Sequence, residues 1–94
     1  MSYSNEYYRD IGKRLEALRG LFASMPENNK NLGFYDIYLA ANELELALHT
    51  LCDFLLEPTS PNVSDSALEQ IQLLHRMMKI DDCCVQKLKE KQLG

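Results

Sequence analysis

Four ionisable side chains at intervals of four residues are the first feature of this sequence that could do chemistry. They are Glu45, His49, Asp53 and Glu57. Residues four apart stack in one row on a helix, so these groups would stand side by side, as acid–base pairs do in catalysis. Mixed charges at this spacing stabilise a helix by roughly 0.2–0.5 kcal/mol per pair, yet no Lys or Arg interrupts the row. The pattern is more typical of a charged face than of an active site.

The histidines and cysteines offer nucleophilic chemistry. Pairing of His75 with Cys84, or of His49 with Cys52, would place a base beside a thiol. The alternative is a packed thiol and a boundary histidine, which we favour because a catalytic cysteine needs a tuned environment that no motif here supplies. The sequence has no Cys-x-x-Cys or His-x-x-x-His spacing and no Gly-rich phosphate loop. We therefore expect no metal, no cofactor and no enzymatic activity.

The cysteines and the N-terminus also bear on the compartment. Cys83 and Cys84 are adjacent, which suits an ordinary disulfide poorly, and Cys52 is predicted to be a small core residue. An odd cysteine count argues against a secreted disulfide framework. Residues 1–6 lack the basic and apolar regions of a signal peptide, and no apolar run approaches the ~20 residues of a membrane span. We expect a cytoplasmic protein that does not bind a membrane.

A helix over 42–57 must position the acidic row. Its apolar positions at helical spacing are Leu44, Ala47, Leu48, Leu51 and Leu55. Asn42 is a favourable N-cap with Glu45 in the capping-box position, and Pro58 cannot continue the helix. The pattern predicts a helix with one apolar face against a core and one acidic face toward solvent.

The rest of the chain predicts three or four further helices and no strand. They run from Ser4 or Asn5 to Ala23, from Leu32 to Ala41, from the cap Ser64 to about Lys79, and from Asp81 to about Gln92. Residues 25–31 are a polar connection. Helix 32–41 is either deeply buried or half-buried with Tyr35 or Tyr38 exposed, and its continuity with 42–57 is open. Ninety-four residues suit one all-α domain over 1–94, a small bundle of four to five helices.

Charge is concentrated in the middle of the chain. Residues 31–82 hold nine acidic residues against Arg76 and Lys79, a net charge of −7, and no Lys or Arg lies between Lys30 and Arg76. Nucleic acid is excluded as a ligand of this region because phosphate binding needs basic side chains. A basic protein surface is the natural complement.

The predicted contact residues combine this charge with two tyrosines, a residue type enriched at interface hot spots. They are Tyr35, Asp36, Tyr38, Glu43, Glu45, Asp53 and Glu57. The alternatives are that the acids form only a solvated face and that the tyrosines pack in the core.

The stretch 43–57, ELELALHTLCDFLLE, fits the pattern E-x-x-x-A-L-x-x-L-C-D-x-L-x-E. Together with the helix capped by Ser64, which carries Ile71, Leu74 and Met78, this pattern is similar to the small helical immunity proteins of the MafI and contact-dependent growth inhibition kind. The resemblance covers roughly residues 35–82.

The resemblance implies a cytoplasmic protein without catalysis that binds the C-terminal domain of a cognate bacterial toxin, often a nuclease, in a one-to-one complex. A nuclease has a basic cleft, and an acidic helix face would occupy such a cleft as a phosphate mimic. The runner-up hypothesis is a helical adaptor or regulatory module that binds a cellular protein in an apolar groove. Whether the chain is a monomer is open.

Overall fold

The computed structural model describes residues 5–24, 30–58, 60 and 62–93 as a small all-α domain. Within them are five α-helices: α1 (Asn5–Ala17), α2 (Lys30–Ala40), α3 (Leu44–Leu55), α4 (Asp65–Met78) and α5 (Cys84–Leu93). A 3₁₀ helix, Leu18–Ser24, extends α1. These described residues contain no strand, and none of their helices is long and apolar enough to cross a membrane. The prediction of an all-α fold is confirmed.

The first predicted helix changes its geometry partway along. Its α-helical part ends at Ala17 and the 3₁₀ helix continues to Ser24, whereas the sequence predicted one helix to Ala23. The apolar stripe predicted for this helix consists of Tyr8, Ile11, Leu15, Leu18 and Phe22. The last four are buried, as predicted, but Tyr8 is exposed. The tighter winding of a 3₁₀ segment keeps the stripe on the core. Residues 1–4 and 25–29, which include Ser4, one of the two predicted first residues of this helix, and most of the polar connection, lie outside the described residues.

A sharp break separates α2 from α3, so the two predicted helices are not continuous. Asn42 adopts a left-handed conformation with φ of 59°. The Asn42 amide donates to the Leu39 carbonyl at 3.1 Å, and the Glu43 amide donates to the Tyr38 carbonyl at 2.8 Å. This is a Schellman motif. Asn42 therefore ends α2 and does not cap α3, so the predicted capping box with Glu45 is wrong, and the N-cap position is Glu43.

Helix α3 supplies the largest share of the core. The predicted apolar positions Leu44, Ala47, Leu48, Leu51 and Leu55 are all buried. Cys52 and Phe54 are buried as well, so the apolar face is wider than predicted. Phe22 packs between Phe54 and Tyr35, with ring centroids 4.8 and 5.0 Å apart. Such aromatic contacts add to the burial of apolar area.

The last two helices begin at side-chain caps. The Ser64 hydroxyl accepts a hydrogen bond from the Ala67 amide at 3.1 Å, as predicted. Helix α5 begins at Cys84 rather than near Asp81, and its cap is the Asp82 carboxylate, which accepts from the Cys84 amide at 3.1 Å. Near its end, Lys91 donates to the carbonyls of Leu55 and Ser60, each at 2.8 Å. Helix α5 has few apolar residues, and it is joined to the core by these polar contacts as well as by its buried residues Cys84 and Leu88.

Lys79 provides a test of backbone strain, because it ends α4 in a left-handed conformation with φ of 57°. A non-glycine residue in this conformation costs roughly 1–2 kcal/mol of stability. Glycine would remove this strain, but it loses more conformational entropy on folding, so the net gain is smaller. We expect Lys79→Gly to raise the free energy of unfolding by about 0.5–1 kcal/mol, measured by urea denaturation. Glu69→Gly, at an exposed position inside α4, should instead lower it by about 1 kcal/mol. A loss of stability in Lys79→Gly would contradict the assigned conformation.

Candidate functional site

Four of the predicted contact acids lie along α3 and at its two ends, and all four are exposed: Glu43, Glu45, Asp53 and Glu57. We call these four residues the acidic face. Within α3 (Leu44–Leu55), Glu45 and Asp53 are eight residues apart, which corresponds to about 12 Å along a helix. Within the described part of the chain, none of the four makes an ion pair with Lys or Arg. The acidic face therefore presents uncompensated negative charge to solvent.

The predicted row is interrupted at its centre and its end. His49 is only half exposed, because its Nδ1 atom lies 3.2 Å from the Asp82 carboxylate of the segment before α5. Its Nε2 atom lies 3.7 Å from Glu45. Glu57 falls beyond the last residue of α3, where its carboxylate accepts a hydrogen bond from the Asn31 amide group at 3.1 Å. The predicted continuous row of four is therefore interrupted, and Glu45 and Asp53 are its two acids that lie within α3.

Asp36 differs from the other acids because it is paired. Its two carboxylate oxygens accept from the Arg19 guanidinium at 2.8 and 2.9 Å. The fork geometry matches the two oxygens of a carboxylate, and this hydrogen bonding from Arg19 holds the pKa of Asp36 below its usual value. A partner would have to displace Arg19 to use this charge.

Tyr35 belongs to the core. Its side chain is 0% exposed, its hydroxyl donates to the Leu15 carbonyl, and burial raises its pKa. It has no surface for a partner, so the alternative of core packing holds and we leave it out of the contact set. Tyr38 is half-buried and stacks on Phe34, with ring centroids 6.3 Å apart.

The sequence interpretation missed two exposed apolar residues on α2. Phe34 is 50% exposed and Ile37 is 61% exposed. They are three residues apart and therefore share a face. The mostly apolar stretch from 34 to 39 did not indicate which side of the helix is buried, because α2 is apolar on most sides. Their exposure adds an apolar patch beside Tyr38.

An apolar groove of about 340 Å³ adjoins the start of α3. Its apolar wall includes Tyr7, Tyr8, Ile11, Leu44, Leu46 and Met78. Glu43 and Glu45 of the acidic face, with Asn42, complete its rim. Leu46 is exposed beside the two glutamates. The groove and the glutamates together suit a side chain that has an apolar stem and a positive end, such as Lys or Arg.

A second cluster lies in the interior, where a disulfide joins Cys52 of α3 to Cys84 of α5 with Cα atoms 6.2 Å apart. This bond was not predicted from the sequence, where Cys52 was expected only as a small core residue. Adjacent cysteines are poor partners for each other, but either of them can form a disulfide with a distant cysteine. Cys84 does so, whereas Cys83 is an exposed free thiol. Cys52 is buried as predicted.

Two histidines meet one carboxylate beside this disulfide. Asp82 Oδ1 lies 2.9 Å from His75 Nε2, and its Oδ2 lies 3.2 Å from His49 Nδ1. Burial by itself raises the pKa of Asp82. The Cys84 amide and the two imidazoles together lower it by more than burial raises it, so the pKa lies below its usual value. Residues 49, 75 and 82 come from three separate segments, so no local motif could have predicted this contact.

Comparison of this chain with protein-family models, with curated proteins and with solved structures finds no match. The resemblance to immunity proteins therefore stays a prediction. The geometry of the described residues defines two candidate sites. One is the acidic face next to an apolar groove, and the other is a buried cluster of sulfur and imidazole groups.

The Arg19–Asp36 pair predicts a specific pH response. Because the folded-state pKa of Asp36 is lowered, its ionised form stabilises the fold above the unfolded-state pKa, and this contribution is lost as the pH falls through the folded-state pKa. We expect Arg19→Gln to raise the pKa of Asp36, measured by NMR titration of its carboxyl carbon. Arg14→Gln, which breaks the separate pair with Asp10, should leave the Asp36 titration unchanged. Equal titration curves in wild type and Arg19→Gln would refute the pairing in solution.

Proposed function

We propose that this chain is a non-enzymatic protein-binding domain whose acidic face receives a basic surface of its partner. The observation that carries the proposal is the set of exposed carboxylates without Lys or Arg partners among the described residues, two of which border an apolar groove. Self-repulsion on this scale costs stability. A basic partner would remove that cost, since its cations would pair with carboxylates that no Lys or Arg of the described chain neutralises.

The partner that fits best is the basic domain of a cognate bacterial toxin, in a one-to-one complex in the cytoplasm. This choice rests on the resemblance of residues 35–82 to small helical immunity proteins. A nuclease domain suits the charge, because a cleft that grips a polyphosphate must be positive. Complementary charge also speeds association, which an inhibitor needs if it is to capture an incoming toxin before the toxin acts.

The revised contact set follows the exposure of the side chains. Glu43, Glu45 and Asp53 are exposed and have no Lys or Arg partner among the described residues, so they are the principal charged contacts. Glu57 has a single amide partner and Tyr38 is half-buried, so both are peripheral contacts. Asp36 contributes only if Arg19 releases it.

A helical adaptor that binds an apolar segment of a cellular protein is the second candidate. The observation that favours it is the exposure of Phe34 and Ile37 on one face of α2. Such a partner would be held mainly by apolar contacts, so its affinity would change little with salt. Substitution of these two residues, rather than of the acids, would then reduce binding.

The first candidate is tested with the toxin domain that the resemblance predicts to be encoded beside this chain. Glu43→Gln/Glu45→Gln should slow association about tenfold at low salt and reduce the dependence of the association rate on ionic strength, because steering by charge supplies 10- to 1000-fold in rate. Stopped-flow fluorescence measures the rate. Co-expression, read as survival of the host, measures protection from the toxin.

The matched control is Asp65→Gln/Glu69→Gln, which removes two exposed acids of α4 that lie outside the acidic face. It has the same net charge as the test variant. If both double variants slow association equally, total charge and not the acidic face governs binding. If the wild-type chain neither binds the toxin domain nor protects the host, the immunity function is wrong.

A further inference from the structure

The buried cluster around the disulfide is a second site, independent of the acidic face. We propose that Cys52, Cys84 and His75, after reduction of the disulfide, bind one Zn²⁺ ion. The ligands come from α3, α5 and α4 respectively. An ion there would join three helices at one point, as structural zinc sites do in small domains.

The spacing of the donor atoms suits zinc. One ligand atom from each of the three residues lies within 4.8 Å of the others, and all three residues are buried. Zinc–sulfur bonds of about 2.3 Å and zinc–nitrogen bonds of about 2.0–2.1 Å place tetrahedral ligands roughly 3.3–3.8 Å apart. Once the S–S bond is broken, the two sulfurs need only small rotations of their side chains to reach these separations.

His75 is held in the tautomer that a metal requires. Its Nδ1 atom lies 2.8 Å from the Ile71 carbonyl, and a carbonyl can only accept, so Nδ1 carries a proton. In the neutral ring Nε2 then has a free lone pair. Nε2 is buried and has no hydrogen-bond partner among the described residues. A metal-binding histidine usually donates its other ring nitrogen to a carbonyl or carboxylate in this way.

Asp82 is the nearest candidate for the fourth ligand. Its Oδ1 atom is 2.9 Å from His75 Nε2, close enough for an ion pair, although the pair does not have the geometry of a hydrogen bond. With a proton on Nε2 this contact is an ion pair, and a bound metal ion would take the place of that proton; the amide of Cys84 fixes the position of Oδ1. A cation between Oδ1 and Nε2 would satisfy both atoms.

The reaction has two balanced steps. A phosphine reductant transfers two electrons to the Cys52–Cys84 bond and becomes a phosphine oxide with oxygen from water, while the two sulfurs take up two protons. Zinc then binds both sulfurs as thiolates and releases those two protons. Thiols predominate over disulfides in a reducing compartment, so the zinc form is the one that such a compartment favours.

The experiment reduces the full chain with a phosphine, adds Zn²⁺, removes free metal by desalting and measures zinc by elemental analysis. We expect one zinc per reduced chain and none in the oxidised chain. Co²⁺ in place of zinc should give the thiolate-to-cobalt charge-transfer band and the visible bands of a tetrahedral site. Circular dichroism of the same samples shows whether the helices persist.

The variants distinguish this site from adventitious thiol binding. Cys52→Ser should abolish stoichiometric zinc, and His75→Gln, which keeps both thiols, should weaken zinc binding at least about tenfold. Cys83→Ser removes the exposed cysteine next to the site and should bind zinc like wild type. The proposal is overturned if reduced wild type takes up no zinc, folded or unfolded. It is also overturned if Cys83→Ser, and not Cys52→Ser, loses the metal.

Discussion

The burial of one broad face of α3 is the constraint on which the rest of this small domain depends. Seven of its twelve residues are buried, and full burial of a large apolar side chain contributes about 1.5–3 kcal/mol. A chain of 94 residues has room for only a modest core, so α1 and α2 pack against this one helix, and α4 packs against α1 and α5. The other side chains of α3 point outward, so its carboxylates lie together on the side of the helix that faces solvent.

The sequence predicted the features that local periodicity and capping control. The stripe from Leu44 to Leu55 is buried as expected, and Ser64 caps α4 as expected. The break between α2 and α3 was harder, because Asn is favourable both as an N-cap and in the left-handed position that ends a helix. Only the packing of α2 against α3 decides between the two roles for Asn42. Tyr35 was ambiguous for a related reason, since α2 is apolar on most sides.

The buried cluster could not be predicted from spacing, because its members are brought together by tertiary structure. Cys52 and Cys84 are 32 residues apart, and no short motif includes them both. The two sites of the molecule nevertheless share α3: its outer side carries Glu45 and Asp53, and its inner side carries Cys52. Both sites therefore depend on where α3 lies in the fold.

The contacts of Lys91 have a consequence for how α5 is held against the domain. Its ammonium group lies between two carbonyl oxygens, one of them at the negative end of α3, where the helix dipole favours a cation. Acetylation of this one side chain would remove the charge and weaken both contacts. The attachment of α5 is therefore open to control by a single modification.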